Sequence, residues 1–265
     1  MRASSVFAAR RGTREPDLTS DTEGGRSGGS APGGKRGATF VGAVVMVLVG
    51  AVLVGGFAYL LKVLGNNSPI LRATTVSVSG PLVHATLNIA TYPDSMAGEH
   101  GKSGGPHPDW VSYGPTTNYW VPAHALVTVV IRNYDSATAL NSPYFANVQG
   151  TTGGVATFNG TPLSHISPDS VAHTFTIHMF PTGGQPNLDV SVPLLGVADN
   201  APNAPGSQYP APTVVTFTFR THGPGRYIWQ CFDPCGGTGY YAGFGGPMST
   251  LGYMAGSITV GTPHA

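Results

Sequence analysis

The sequence predicts an all-β domain of the sandwich or barrel class that follows an apolar N-terminal segment. Charged residues make up only 9% of the chain, whereas Gly (38) and Pro (23) are abundant, so turns are frequent and long helices are disfavoured. Beyond residue 66, apolar and polar residues alternate in short runs separated by Gly, Pro and Asn, which is typical of half-buried strands. About seven short strands of this kind predict a sandwich or a barrel.

The N-terminal part of the chain contains a tail and an apolar segment. Residues 1–37 are rich in Gly, Ser and Arg and hold almost no apolar residue after Ala9, so they are predicted to be disordered. Residues 38–61 carry no charge over 24 positions, which is enough helix to cross a bilayer. Lys62 follows instead of a small-residue cleavage site. We therefore predict a single transmembrane helix over 38–64 that remains as an anchor.

The charges around this helix predict its orientation. Arg26, Lys35 and Arg36 lie on its N-terminal side, which places the tail in the cytoplasm by the positive-inside rule. Residues 65–265 are then an extracytoplasmic domain attached to the plasma membrane, in an oxidising compartment. No basic stripe is present in this domain, so a nucleic-acid partner is not expected.

The alternating runs assign the strands one by one. They cover residues 74–80, 84–92, 125–133, 171–180, 213–221, 226–231 and 256–260. Two long connections, residues 93–122 and 136–169, are rich in Gly, Asn and Pro and exceed ordinary loop length. They are predicted to be loops that elaborate the sandwich.

Both cysteines of the chain lie in one loop, after the strand predicted over 226–231. Cys231 and Cys235 are separated by three residues, and Met248 and Met254 follow in the same loop. Thiolate and thioether sulfurs favour copper. In an oxidising compartment, however, two unliganded cysteines tend to form a disulfide. The residues alone leave both interpretations open.

His173 is the histidine whose position is most informative. In the strand predicted over 171–180 it shares a face with Val171, Phe175 and Ile177, so its imidazole is predicted to be buried. A buried neutral imidazole needs a partner, which is either a metal or a hydrogen-bonding group such as a backbone carbonyl. From strand position alone the hydrogen-bonded interpretation is the more common one.

Three motifs occur together in the second half of the chain. They are V-x-H-T-F-T-I at 171–177, G-x-Y-x-x-Q-C-x-D-x-C-G at 225–236 and M-x-G-x-I-x-V at 254–260, and the run 121–135 precedes them. This combination resembles the cupredoxins, and in particular the copper-A domain of cytochrome c oxidase subunit II. The resemblance covers roughly residues 120–260. It implies a cupredoxin-like Greek-key β-sandwich with its core at about 120–261.

The same resemblance implies a set of copper ligands. They are the His173 imidazole, the Cys231 and Cys235 thiolates, the backbone carbonyl of Asp233, and the Met254 thioether, with Met248 as the alternative methionine. The family places a second histidine four residues after the second cysteine, where this chain has Gly239, and it commonly has two membrane helices. A site with a single copper, a site completed by a histidine from a long loop, and a metal-free disulfide all remain open.

Three functional hypotheses follow. The first is a membrane-anchored electron-transfer cupredoxin that binds copper and exchanges electrons with a redox partner protein or with subunits of a respiratory oxidase, in the manner of subunit II. The second is a non-redox copper carrier, and the third is a metal-free, disulfide-closed structural or interaction module. Independent catalysis is not expected, because the chain has neither a Gly-x-Ser-x-Gly nor a His-Glu-x-x-His motif.

Overall fold

The computed structural model describes residues 44–57, 69–79, 82–96, 107–138, 140, 142–179, 187–233 and 246–262. The chain divides into two units, Met1–Ala58 and Tyr59–Ala265. In the first unit, residues 44–57 are helical. Over the described part of the chain, no helix has both the length and the apolar composition needed to cross a membrane. The predicted tail, 1–37, and both ends of the predicted transmembrane helix, 38–64, lie outside the described residues.

The second unit is a sandwich of two β-sheets. The first sheet has the strand order β1–β5–β13–β12–β9–β10, and the second has the order β2–β3–β6–β11–β7–β8, with β4 paired to β3. The strands of the first sheet are β1 (Ile70–Arg72), β5 (Asn118–Pro122), β9 (Val171–His178), β10 (Val190–Leu195), β12 (Gly225–Gln230) and β13 (Ala255–Gly261). Those of the second are β2 (Thr74–Ser79), β3 (Leu82–Tyr92), β4 (Ser112–Gly114), β6 (Ala125–Asn133), β7 (Ala156–Phe158), β8 (Thr161–Leu163) and β11 (Thr213–Arg220).

The central strands of the second sheet show how the alternating sequence builds the core. β6 pairs with β11 in antiparallel register and with β3 in parallel register. Every second residue of β6 and β11 is buried, and the buried residues include Val129 and Phe217. Between them, outward-facing Thr128 and Thr218 hydrogen-bond through their hydroxyls (2.9 Å). The period-two pattern therefore places one apolar face of each strand against the first sheet.

All seven predicted strands are confirmed, as β2, β3, β6, β9, β11, β12 and β13. The structure adds β1, β4, β5, β7, β8 and β10. The connections predicted to elaborate the sandwich contain four of these short strands, β4 and β5 within 93–122 and β7 and β8 within 136–169. β5 lies inside the first of these segments and pairs in parallel with β1 and β13. β10 contains Pro193 but lies at the edge of its sheet, where a missing N–H is tolerated.

Trp229 organises the centre of the first sheet. Its fully buried ring lies 4.9 Å from that of Phe175 and meets that of Tyr113 edge-on at 4.5 Å. Its indole N–H donates to the Thr117 carbonyl oxygen (2.8 Å), which ties β12 to the segment before β5. At Gly256, opposite Trp229 on β13, a Cβ atom would lie 1.9 Å from the same carbonyl oxygen. The close approach of β13 to the segment before β5 therefore requires a glycine at position 256.

Candidate metal site

His173 lies in β9, between β12 and β10 in the first sheet, and its side chain is fully buried. The prediction of its burial is confirmed. It pairs with Leu194 of β10, while Thr174, the next residue, faces the chain that follows β12. β9 pairs with β10 at His173 itself and with β12 only from Thr176 to His178, so the backbone that carries the ring is held mainly from the β10 side.

The partner of the imidazole is a carboxylate. His173 Nε2 lies 3.0 Å from Asp135 Oδ2, and Asp135 belongs to the segment that follows β6 in the second sheet. The other nitrogen, Nδ1, is buried and has no hydrogen-bond partner of standard geometry among the described residues. A buried imidazole nitrogen without a partner is costly, which marks this atom as a candidate ligand atom.

The charge state of this pair follows from its surroundings. Burial lowers the pKa of His173, but the hydrogen bond to Asp135 and the neighbouring Cys231 sulfur outweigh it, so the pKa rises to about 10. Burial raises the pKa of Asp135, but the hydrogen bond and charge of His173 outweigh it, so this pKa is lowered. Near neutral pH the metal-free pair is therefore an imidazolium and a carboxylate. A metal ion at Nδ1 has to displace a proton.

Cys231 is buried directly after β12 and beside His173. Its N–H donates to the Met254 carbonyl oxygen (2.9 Å), and the N–H of Thr174 donates to its sulfur (3.4 Å). Its Sγ donates to the Asp233 carbonyl oxygen (3.3 Å). The Cys231 sulfur therefore lies between β9 and the segment that follows β12. Cys235 is outside the described residues, and so is its relation to Cys231.

Asp233 is buried and contributes its carbonyl oxygen to the same place. That oxygen faces the Cys231 sulfur, whereas the side-chain Oδ2 accepts a hydrogen bond from the Thr138 hydroxyl (2.6 Å). Burial raises the pKa of Asp233 to about 6, although the Thr138 hydrogen bond and His173 act in the opposite direction. The side chain is therefore engaged in the protein, and only the main-chain oxygen is directed at the sulfur.

The two methionines are both buried in the apolar cluster that contains Cys231. Met254 is fully buried, and its carbonyl oxygen accepts the Cys231 N–H. Its own N–H donates to the Pro247 carbonyl oxygen (3.1 Å), which folds the turn carrying Met248 against it. Met254 is thus joined to Cys231 by a main-chain hydrogen bond, whereas Met248 lies in the 3₁₀ turn Pro247–Ser249.

The donor types buried around β9 and the end of β12 are those that a soft metal ion prefers. Among the described residues no group of three or more His, Cys, Asp or Glu side chains could hold a metal. The available donors are instead an imidazole nitrogen, a thiol and buried thioethers, a donor set that suits copper.

Asp135 is the residue of this cluster that the sequence did not reveal. It ends the run Val121–Asp135, which the resemblance treated only as a preceding strand. A polar residue just past an alternating strand was the available signal, because such positions lie at a sheet end. Its contact with His173 spans 38 positions and joins the two sheets, and no local pattern predicts such a contact.

No protein-family model and no curated protein matches this chain. Its solved structural neighbours include rusticyanin from Thiobacillus ferrooxidans, at 16% identity and a TM-score of 0.30, covering 71% of this chain and 86% of that one. Auracyanin from the photosynthetic bacterium Roseiflexus castenholzii matches at 16% identity and a TM-score of 0.29, covering 66% and 95%. Auracyanin B matches at 14% identity and a TM-score of 0.30, covering 72% and 96%. TM-scores this low do not establish a shared fold, so the function of this chain is inferred from its own contacts.

Proposed function

We propose that this chain is a copper-binding electron-transfer protein of the cupredoxin type. The observation that carries the proposal is the state of His173: its Nε2 is bound to Asp135, its buried Nδ1 makes no hydrogen bond of standard geometry among the described residues, and the Cys231 side chain interacts with the ring. A purely structural histidine in this position would be expected to bond through both nitrogens. A buried imidazole nitrogen without such a bond, on a ring that interacts with a cysteine, is available to a metal ion.

The neighbouring contacts support copper over other metals. The Met254 and Met248 thioethers are buried in the same cluster as Cys231, and thioether sulfur binds copper but contributes little to zinc or magnesium sites. Copper bound here would supply one-electron redox chemistry. The Thr174 N–H, which already donates to the Cys231 sulfur, would stabilise a thiolate at that atom.

The rigidity of the donors favours electron transfer. His173 is fixed in the interior of a sheet, and Cys231 is fixed by hydrogen bonds to Thr174 and Met254. Donors that are held in this way keep the same positions when the charge on the metal changes, which keeps the reorganisation small. Such a site exchanges electrons with a partner and performs no reaction of its own.

The cellular setting is a proposal from the sequence alone. The uncharged segment within 38–64 supports a single-pass anchor in the plasma membrane, and the flanking Arg and Lys residues support an extracytoplasmic domain. The motif resemblance supports a redox partner protein or respiratory oxidase subunits as the electron-exchange partner, in the manner of cytochrome c oxidase subunit II.

Copper titration of the full chain, purified without reductant, tests this function. We expect visible absorption from thiolate-to-copper charge transfer with Cu(II), and its loss in Cys231→Ser. His222→Gln is the matched control, because His222 precedes β12 at the end of the strand opposite Cys231. A thiol titration in parallel measures whether the cysteines are reduced.

Two results would contradict electron transfer and identify the alternatives. Tight binding of Cu(I) without any coloured Cu(II) form would favour a non-redox copper carrier. Oxidised cysteines with no copper binding, before or after reduction, would favour a disulfide-closed structural module.

A further inference from the structure

Among the described residues, Asp135 is the charged side chain that bonds the buried imidazole, and it lies outside the three motifs that suggested a metal site. It follows β6 of the second sheet, whereas His173 and Cys231 belong to β9 and to the end of β12 in the first sheet. Its Oδ2 lies 3.0 Å from His173 Nε2, and its side chain is 22% exposed. The contact therefore joins a partly exposed carboxylate to the Nε2 atom of the buried His173 ring.

The carboxylate is itself held in place by several bonds. The Ser136 N–H donates to Asp135 Oδ1 (2.9 Å), which leaves Oδ2 for the imidazole. The fully buried Asn133 accepts the Asp135 N–H through Oδ1 (3.3 Å) and donates through Nδ2 to the Asp135 carbonyl oxygen (2.8 Å). Asn133 also donates to the Leu195 carbonyl oxygen (3.0 Å), at the end of β10. Asp135 is thus fixed by its neighbours before it contacts His173.

This arrangement determines which nitrogen of His173 is available. An imidazole that has lost one proton carries one N–H donor and one lone pair. An ionised carboxylate only accepts hydrogen bonds, so Asp135 keeps the proton on Nε2 and leaves the lone pair on Nδ1. Nδ1 is the buried atom without a hydrogen-bond partner among the described residues. Nδ1 is therefore the ring nitrogen available to a metal ion.

We propose that Asp135 is the positioning residue of the copper site, which fixes the Nδ1 donor of His173 and, by its negative charge, favours Cu(II) over Cu(I). This inference rests on the proposed copper function. A neutral acceptor such as a backbone carbonyl would fix the same tautomer without adding charge. A carboxylate also makes the ring a stronger donor, and the stronger donor stabilises the more highly charged metal ion.

A merely structural ion pair gives different expectations. Removing its charge would change the stability of the domain, but it would leave the ratio of Cu(II) to Cu(I) affinity unchanged. The ratio of the two affinities, which sets the reduction potential, therefore separates the two roles.

Asp135→Asn tests the charge, because the amide oxygen can still accept the Nε2 proton. Asp199→Asn is the matched control: Asp199 is exposed and lines the same surface depression as Asp135, so the same charge is lost away from the ring. Cu(II) and Cu(I) affinities of the full chain are measured by competition with chelators. We expect Asp135→Asn to weaken Cu(II) binding by about 10- to 100-fold and Cu(I) binding by much less. The control should change both by less than about threefold.

A spectroscopic measurement and a second variant complete the test. ¹H–¹⁵N NMR of the Cu(I) form should show the His173 proton on Nε2. Asp135→Glu, which keeps the charge, should retain part of the Cu(II) preference that Asp135→Asn loses. Wild-type binding together with equal affinity ratios in Asp135→Asn and Asp199→Asn, or a proton on Nδ1, would overturn the role of Asp135 alone. Failure of the wild-type chain to bind copper would overturn the proposed function as well.

Discussion

Replacing Gly256 by alanine should strongly destabilise the domain, because the added methyl group would collide with the backbone of Thr117. A Cβ at this position would lie 1.9 Å from the Thr117 carbonyl oxygen and 2.7 Å from the Thr117 carbonyl carbon, contacts that real Cβ atoms do not show below 3.0 Å. β13 and the segment before β5 therefore have to separate by more than about 1 Å. The obstruction is backbone, so a change of rotamer cannot relieve it.

The magnitude follows from what the Thr117 carbonyl holds. It accepts hydrogen bonds from the Trp229 indole (2.8 Å) and from the Ser257 N–H (3.1 Å). Overpacking costs about 1–3 kcal/mol, and a buried indole N–H left without its acceptor costs about 1–3 kcal/mol. We expect a loss of about 2–6 kcal/mol in the free energy of unfolding. For a domain of this size the melting temperature then falls by about 4–24 °C.

Urea and thermal unfolding, followed by circular dichroism, measure this loss. Gly223→Ala is the matched control, because a Cβ there meets nothing within 4 Å and its backbone needs no glycine. It should change the free energy of unfolding by less than about 0.5 kcal/mol. If Gly256→Ala proved as stable as Gly223→Ala, the tight contact between β13 and the segment before β5 would be refuted.

Three further outcomes are expected from the site. In the metal-free protein, the pKa of His173 is raised from 6.5 to about 10, so the stability that it contributes is fully present below pH 6.5 and is lost as the pH rises towards 10; urea titrations at several pH values should show this decline, and a His173→Gln variant should lack it. Burial raises the pKa of Asp233 from 3.8 to about 6, so the protein is most stable, with respect to this group, below pH 3.8, where the carboxyl is neutral. This stability is lost as the pH rises through 6. Asp233→Asn should therefore remove the part of the pH dependence between pH 3.8 and 6, and an unchanged profile would contradict the burial of that carboxyl. Met254→Leu preserves the volume of a fully buried side chain and should cost less than about 1.5 kcal/mol of stability; a copper affinity equal to that of the wild type would exclude its thioether as a ligand.

Part of the fold was predictable because it is encoded locally. β6, β9 and β11 alternate apolar and polar residues over eight or nine positions, and a single face of each strand is long enough to show in the sequence. β5 lacks such a pattern: its strand character comes from parallel pairing with β1 and β13, which are distant in the chain. Non-local pairing of this kind is invisible to any window of sequence.

The site was predictable to a similar extent. The burial of His173 followed from the face of its strand, and the place of Cys231 followed from its motif. The orientation of the ring did not, because it depends on Asp135 in the other sheet. The contact is a property of how the sheets pack, so only the three-dimensional arrangement could reveal it.

The contact between Asp135 and His173 has a mechanical consequence for the whole sandwich. Close by, the Thr138 N–H donates to the Val171 carbonyl oxygen (3.0 Å), and the Thr138 hydroxyl donates to Asp233 Oδ2 (2.6 Å). These bonds attach the segment that leaves the second sheet to the first sheet. A fluctuation that separates the two sheets near β9 must first break them, so the His173 ring loses its orientation as soon as the domain begins to open.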